Sequence, residues 1–226
     1  MLYIYSQYAI VGTKNTNIVY HGGSDSISIY NPKVEGTHYS SARIKVINGP
    51  ESIEVGWTVN STLYNDTQTR LYTFTKTSSS SCFNTLCKSI IPTSTDIPLG
   101  IPIAPIATPK QQFDMKFMLF WDSSNGNWFL KFGQDETEIG FWPKNVFTAL
   151  GDGANYVERG GEVFSPPDVP SPPMGLRILE TYNETPNMMH IAGKLKQLMR
   201  LIMLWTLLIP KNFLTSTHIM KFLMKE

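Results

Sequence analysis

The run Glu51-Ser-Ile-Glu54-Val-Gly56-Trp57-Thr-Val59 decides how the chain is read, because its large apolar residues fall on every second position. Ile53, Val55, Trp57 and Val59 share one face of a strand, and Ser52, Glu54, Gly56 and Thr58 share the other. Glu54 therefore points away from the core. Small neighbours at Ser52 and Gly56 leave a hollow around its carboxylate, with room for a water or a substrate backbone. Taken alone, this describes a solvated glutamate on the wet face of an antiparallel strand. A second stretch, Val157-Glu158-Arg159-Gly160-Gly161-Glu162-Val163-Phe164, sets another glutamate in a strand directly behind a glycine pair. Two carboxylates brought together can hold opposite protonation states, because like charges a few ångströms apart resist double ionisation. Such a pair is the minimum equipment for hydrolysing a peptide or a glycosidic bond.

Outward from residues 51–59, the same texture recurs. An opening strand runs to about Val11, and residues 18–20 and 26–30 read as a hairpin around His21-Gly22-Gly23-Ser24-Asp25. Residues 40–48 alternate, with Ala42, Ile44 and Val46 on the dry face and Arg43, Lys45 and Ile47 on the wet one. Residues 60–68 form a polar loop carrying Tyr64, and residues 70–75 return as a strand. Three prolines within residues 97–106 forbid a full ladder there, which leaves a sheet edge or an irregular crossing, and the run is read as a sheet edge. The clearest hairpin joins residues 113–121 to 128–132 through Asn125-Gly126, and residues 138–142 add one more strand. Short strands at about 8–12-residue spacing predict an all-β fold, an antiparallel sandwich or barrel.

Composition narrows the function classes. At 226 residues and 42% hydrophobic content the chain can bury a substantial core, and one domain followed by a tail is expected. A net charge of +1, from 19 basic and 18 acidic residues, supplies no field for holding nucleic acid. Cys82 and Cys87 stand close enough to close a small loop, and a disulfide is preferred over free thiols, with zinc last. His21, His38, His190 and His218 are scattered without ligand spacing, so no metal and no organic cofactor is expected. No Gly-x-Ser-x-Gly elbow and no His-Glu-x-x-His motif occurs, which weakens serine-hydrolase and zinc-protease readings. Sequons begin at Asn60, Asn65 and Asn183, whereas the first ten residues carry no recognisable secretory signal. After the proline-rich residues 165–173 the texture changes, and residues 187–226 are basic and Met-rich with helical character. Their most apolar run, 201–209, is far short of the ~20 residues needed to span a bilayer.

Several landmarks then carry a resemblance: Asn31-Pro-Lys-Val34, Ser52-Ile-Glu54-Val-Gly-Trp57, Leu63-Tyr-Asn-Asp66, Cys82-Phe-Asn-Thr-Leu-Cys87, Gly126-Asn-Trp128, Gly140-Phe-Trp-Pro143, Gly160-Gly-Glu162-Val163 and Pro173-Met-Gly175. In this order, residues 7–175 resemble the neprosin family of plant glutamic peptidases. The resemblance implies a β-sandwich of two bent antiparallel sheets, secreted, with two catalytic glutamates in a cleft and cleavage of proline-containing peptides on the carboxyl side of proline. By position in the motifs these glutamates correspond to Glu54 and Glu162, 108 residues apart. Glu158 is read as a surface charge. Trp57 and Tyr64 lie near Glu54 in sequence and are candidates for walls of the substrate cleft, with core packing as the competing role for Trp57. A pair that shares one proton implies activity at acidic pH. Residues 1–175 are thus read as the catalytic domain, and 176–226 as a divergent, non-family tail, helical or disordered. Two rival readings stand beside the peptidase: a carbohydrate- or cell-wall-binding sandwich without turnover, and an inactive, truncated family member.

Overall fold

The computed structural model describes residues 5–13, 18–175 and 219–221. Its strands are β1 (Tyr5–Gly12), β2 (Gly22–Ser28), β3 (Tyr39–Asn48), β4 (Glu51–Asn60), β5 (Arg70–Lys76), β6 (Ser81–Phe83), β7 (Ile91–Pro92), β8 (Asp114–Asp122), β9 (Asn127–Phe132), β10 (Thr137–Trp142), β11 (Tyr156–Ser165) and β12 (Ile219–Lys221). One short helix, α1 (Ser61–Tyr64), follows β4, and 3-10 turns occupy Lys144–Val146 and Leu150–Asp152. The strands form two sheets, ordered β12-β1-β11-β3-β4-β5-β6 and β2-β8-β9-β10-β7. Every pairing is antiparallel, so the expected all-β, two-sheet class is the fold observed.

The alternation in residues 51–59 becomes β4, at the heart of the larger sheet between β3 and β5. Ile53, Val55, Trp57 and Val59 are buried in the core with Ile44, Val46 and Leu71 from their own sheet and Phe117, Leu119, Trp128, Leu130 and Trp142 from the other. Three buried indoles each find an acceptor for the N–H that an apolar core would otherwise strand. Trp57 Nε1 donates to the Ser28 carbonyl on β2 (2.9 Å), and Trp142 Nε1 donates to Thr75 Oγ1 on β5 (2.8 Å). These two bonds tie one sheet to the other in both directions. Trp128 Nε1 donates to the Leu150 carbonyl (2.8 Å) and seats the second 3-10 turn against β9.

Three expectations change. Residues 18–30 are not a hairpin: β2 pairs with β8, from Gly22↔Phe120 to Ser28↔Asp114, and Tyr20 bridges to Ala154. The Gly22-Gly23 pair lies inside the strand. Gly22 has φ +146°, and a Cβ there would collide with the Leu119 carbonyl, so glycine permits close approach of β8 rather than a turn. Residues 97–106 form no strand, because their prolines remove ladder donors. They cross the start of β5 irregularly, through Gly100 N–H to Leu71 O and Ile103 N–H to Thr69 O. The supposed loop after β4 begins as α1, whose N-terminus is capped by the Asn60 side chain accepting from the Leu63 N–H (3.0 Å). Of the expected helical tail, only 219–221 are described, as strand β12 beside β1. The rest, Asn183 included, lies outside the described residues.

Candidate active site

Residues directly opposite one another in an antiparallel sheet point to the same side, so strand register writes out the face that carries Glu54. One row across the sheet reads Gly12, Glu158, Lys45, Glu54, Phe74 and Phe83, on β1, β11, β3, β4, β5 and β6. The next reads Ile10, Gly160, Arg43, Gly56 and Tyr72, and the third reads Tyr8, Glu162, Ser41, Thr58 and Arg70. Arg43 thus stands in the middle row with a glycine on either side. A Cβ on Gly56 would strike the Ala42 carbonyl and the Arg43 Cα, and one on Gly160 (φ +144°) would strike the Ala9 carbonyl. Both glycines let the strands close up and leave the space above them to the guanidinium.

Arg43 fills that space and joins three carboxylates. Its Nη1 donates to Glu158 Oε1 (2.7 Å), and its Nε lies 3.2 Å from Glu54 Oε2 and 3.6 Å from Glu162 Oε2. The Nε–H makes a hydrogen bond to neither of the last two, although it is fully buried. Because both oxygens reach one nitrogen, they stand no farther apart than the two distances combined, roughly 7 Å. Lys45 Nζ adds a second cation to Glu54 at 2.8 Å. With every group ionised, three carboxylates face two cations and the cluster is formally −1.

The face that alternation assigned to water is in fact covered. Glu54 is only 8% exposed, Arg43 2% and Thr58 2%. Glu158 is likewise 8% exposed and buried against Arg43, not a surface charge. The cover is aromatic. Tyr39 donates its phenol hydrogen to Glu162 Oε1 (2.5 Å), and Tyr8 opposes Glu162 across β1 and β11. Burial, and after it the hydrogen bond to Glu162, push the Tyr39 phenol far above its ordinary pKa. Burial followed by the Glu54 charge does the same to Tyr72, and burial followed by the Glu162 charge raises Tyr8. All three are neutral donors across the acid and neutral range. For Arg43, burial opposes the charge, but Glu54 foremost, and then Glu158, hold the guanidinium more firmly protonated than usual.

Glu54 and Glu162 open into one cavity of about 130 Å³, walled by Tyr39, Tyr72, Phe74 and Phe83. The structure brings together these two predicted glutamates but not the other predicted cleft residues. Trp57 points the opposite way, into the core, because it lies an odd number of residues from Glu54 on the same strand. Tyr64 sits outside the cavity, at the end of α1, where it accepts from Asn84 Nδ2 (2.9 Å) and lies beneath the Arg70 guanidinium. Cys82 and Cys87 form a disulfide. Asn60 lines the cavity, and Asn65 is exposed at the end of α1 with φ +59°. No group of His, Cys, Asp and Glu among the described residues is arranged to hold a metal ion, and none of their helices is long and apolar enough to cross a membrane. Arg43, Lys45, Tyr39 and Tyr72 were missed as site residues. Alternation put Arg43 and Glu54 on the same face, but only the register reveals the glycines that make the arginine central.

Fold and site together define a two-sheet antiparallel β protein with a covered, acidic cleft built on paired glutamates. The neprosin family model matches residues 36–194, more than half of the chain, and the chain belongs to that family. The matched span contains both Glu54 and Glu162 and continues beyond Gly175, where the sequence reading ended the likeness. Membership supports a peptidase type of function.

Proposed function

We propose that this chain is a glutamic endopeptidase that hydrolyses peptide bonds on the carboxyl side of proline at acidic pH, with Glu54 and Glu162 as its catalytic pair. The observation that carries the reading is that both carboxylates face one cavity and share a single buried nitrogen, Arg43 Nε. In the proposed cycle one carboxylate of the pair takes a proton from a water lying between them, and the water oxygen bonds to the scissile carbonyl carbon. The other carboxyl, protonated, donates to the carbonyl oxygen as negative charge develops there. When the tetrahedral carbon collapses, the C–N bond breaks and a carboxyl proton passes to the leaving nitrogen. Arg43 holds both acids at working distance, and Tyr39 fixes one oxygen of Glu162 so that the other is left for chemistry.

One proton must be shared by the pair, so the active form is lost when both carboxyls are ionised and when both are protonated. The Cys82–Cys87 disulfide fits an oxidising, extracellular setting, and Asn65 is the described sequon whose side chain meets solvent. The test is mass-spectrometric mapping of cuts in a proline-containing peptide at about pH 3 and pH 7. Cuts after proline at the lower pH, absent from Glu54→Gln and Glu162→Gln, support the proposal. Oligosaccharide binding by a folded protein that cuts no peptide would replace it with the carbohydrate-binding alternative.

A further inference from the structure

Among the described residues, three bonds on the carboxyl side of a proline have exposed residues on both sides: Pro92–Thr93, Pro109–Lys110 and Pro167–Asp168. Exposure alone does not make a peptidase substrate, because the bond must be drawn out of its own fold and extended before it can reach a pair of carboxylates. Pro92–Thr93 is held in a sheet, where Pro92 pairs with Gly140 and the Thr93 N–H donates to the Ile139 carbonyl (3.1 Å). Pro109–Lys110 is the tip of a turn closed by reciprocal backbone bonds between Thr108 and Gln111 (2.7 and 3.2 Å), and Gln112 Nε2 donates to the Thr108 carbonyl as well (2.7 Å). Pro167–Asp168 is held least. Its turn has one backbone bond, from the Val169 N–H to the Pro166 carbonyl, at 3.3 Å. Asp168 stands at φ +64°, a conformation unfavourable for an L-residue, so extension relieves it. Residues 167–170 are exposed in succession, and neither Pro166 nor Pro167 has an N–H that could zip the run into a ladder. The prolines that follow are fastened: Ser171 Oγ lies 3.1 Å from Ser165 Oγ, Pro172 is buried, and the Pro173 carbonyl accepts from Ser40 Oγ (2.9 Å).

We infer that this chain is a substrate of its own kind: the bond between Pro167 and Asp168 is a processing site, cut by a second copy of the chain. The inference rests on the peptidase reading above and adds a substrate to it. A copy cannot cut itself. Pro167 lies only five residues beyond Glu162 on the strand that carries it, and β11 stays paired to its end, through Ser165↔Tyr5 with β1 and Phe164↔Tyr39 with β3. Folding Pro167 back over the cavity would unzip those pairs and pull Glu162 out of the site it belongs to. The exposed turn of one molecule is free to enter the cleft of another.

In the reaction a water oxygen bonds to the Pro167 carbonyl carbon, the C–N bond breaks, and the Asp168 nitrogen leaves with a proton. The products are residues 1–167, ending in a new carboxyl group, and residues 168–226, beginning with a new amine, and their masses sum to that of the chain plus one water. Every residue that lines the cavity, from Tyr39 to Glu162, stays on the first piece. Processing therefore separates the basic, Met-rich C-terminal sequence from the site by covalent bond while leaving the site whole.

The test follows the purified full chain at about pH 3 by intact mass spectrometry, at two concentrations about tenfold apart. Beside it run Pro167→Ala and the inactive Glu54→Gln and Glu162→Gln chains, each checked for fold by circular dichroism. Wild type should resolve into 1–167 and 168–226, with the fraction cut per unit time rising about tenfold between the two concentrations. Either inactive chain should stay whole alone and be cut after Pro167 when a trace of wild type is added. Pro167→Ala should lose this cut and keep the wild-type kcat/KM on a separate proline-containing peptide. A wild type that cleaves that peptide while its own chain stays whole overturns the inference, as does a fractional rate that ignores concentration or an inactive chain that is cut unaided. Cuts spread over several prolines overturn it too, since they make an unfolded chain the substrate. Should neither glutamine variant fold, the concentration series and Pro167→Ala decide. A folded wild type that cuts neither the peptide nor itself removes the peptidase reading, and this inference with it.

Discussion

Replacing Arg43 with methionine removes a cation that is 2% exposed and touches three carboxylates, while keeping most of the apolar stem. Glu158 then loses its only charged partner among the described residues, Glu54 keeps Lys45, and Glu162 keeps the Tyr39 phenol. Breaking a buried ion pair from one side costs about 3–5 kcal/mol, because the partner charge is left in a poor solvent. For a chain of this size each kcal/mol moves the midpoint by about 2–4 °C, so Arg43→Met should lower Tm by roughly 6–20 °C at pH 6. Adding Glu158→Leu should return part of that loss, since the second change removes the stranded charge. Differential scanning fluorimetry on the two single variants, the double variant and wild type measures the coupling. A Tm for Arg43→Met within about 2 °C of wild type would refute the reasoning, since it would mean that the guanidinium is not what holds these carboxylates together.

Three further outcomes follow from the same structure. Glu51 accepts backbone N–H bonds from Thr148 (3.0 Å), Ala149 (2.8 Å) and Leu150 (2.9 Å); burial alone would raise its pKa, but these bonds, Leu150 first, hold it below the ordinary value. A depressed folded pKa stabilises above the unfolded value of about 4.3 and ceases to do so as pH falls through the folded one, so Glu51→Gln should lose about 2 kcal/mol at pH 6 and progressively less below about pH 4 in thermal melts. Gly56→Ala forces a methyl against the Ala42 carbonyl and the Arg43 Cα, and should cost about 1–3 kcal/mol in denaturant titration and lower peptidase activity by shifting Arg43. Trp57→Phe strands the Ser28 carbonyl and should cost about 1–3 kcal/mol, with kcat/KM on a proline peptide unchanged, because Trp57 faces the core and not the cleft.

What the sequence discloses depends on how local the deciding interaction is. The β4 strand was legible because Ile53, Val55, Trp57 and Val59 state their period within a single segment. The hairpin of β8 and β9 was legible because Asn125-Gly126 sets its turn, with Gly126 at φ +75°. The pairing of β2 with β8 was not, since it joins segments some ninety residues apart and Gly22-Gly23 serves close approach there as readily as a turn elsewhere. The same limit governs the site. Glu54 and Glu162 could be nominated from their small neighbours and from the family landmarks, but their common link to Arg43 arises only when β11, β3 and β4 lie side by side. Glu158 was misread for that reason: a charge in an alternating strand reads as exposed until the buried Arg43 that meets it from the neighbouring strand is known.

The central claim is that Glu54 and Glu162 act as one acid–base pair on a peptide bond, and the pH profile of kcat/KM on a proline-containing peptide tests it most directly. The expected profile is a bell in the acid range whose two limbs report the shared proton, with turnover abolished in Glu54→Gln and in Glu162→Gln while both variants keep the wild-type fold. Activity that climbs steadily towards neutral pH, or that survives in either folded variant, would contradict it.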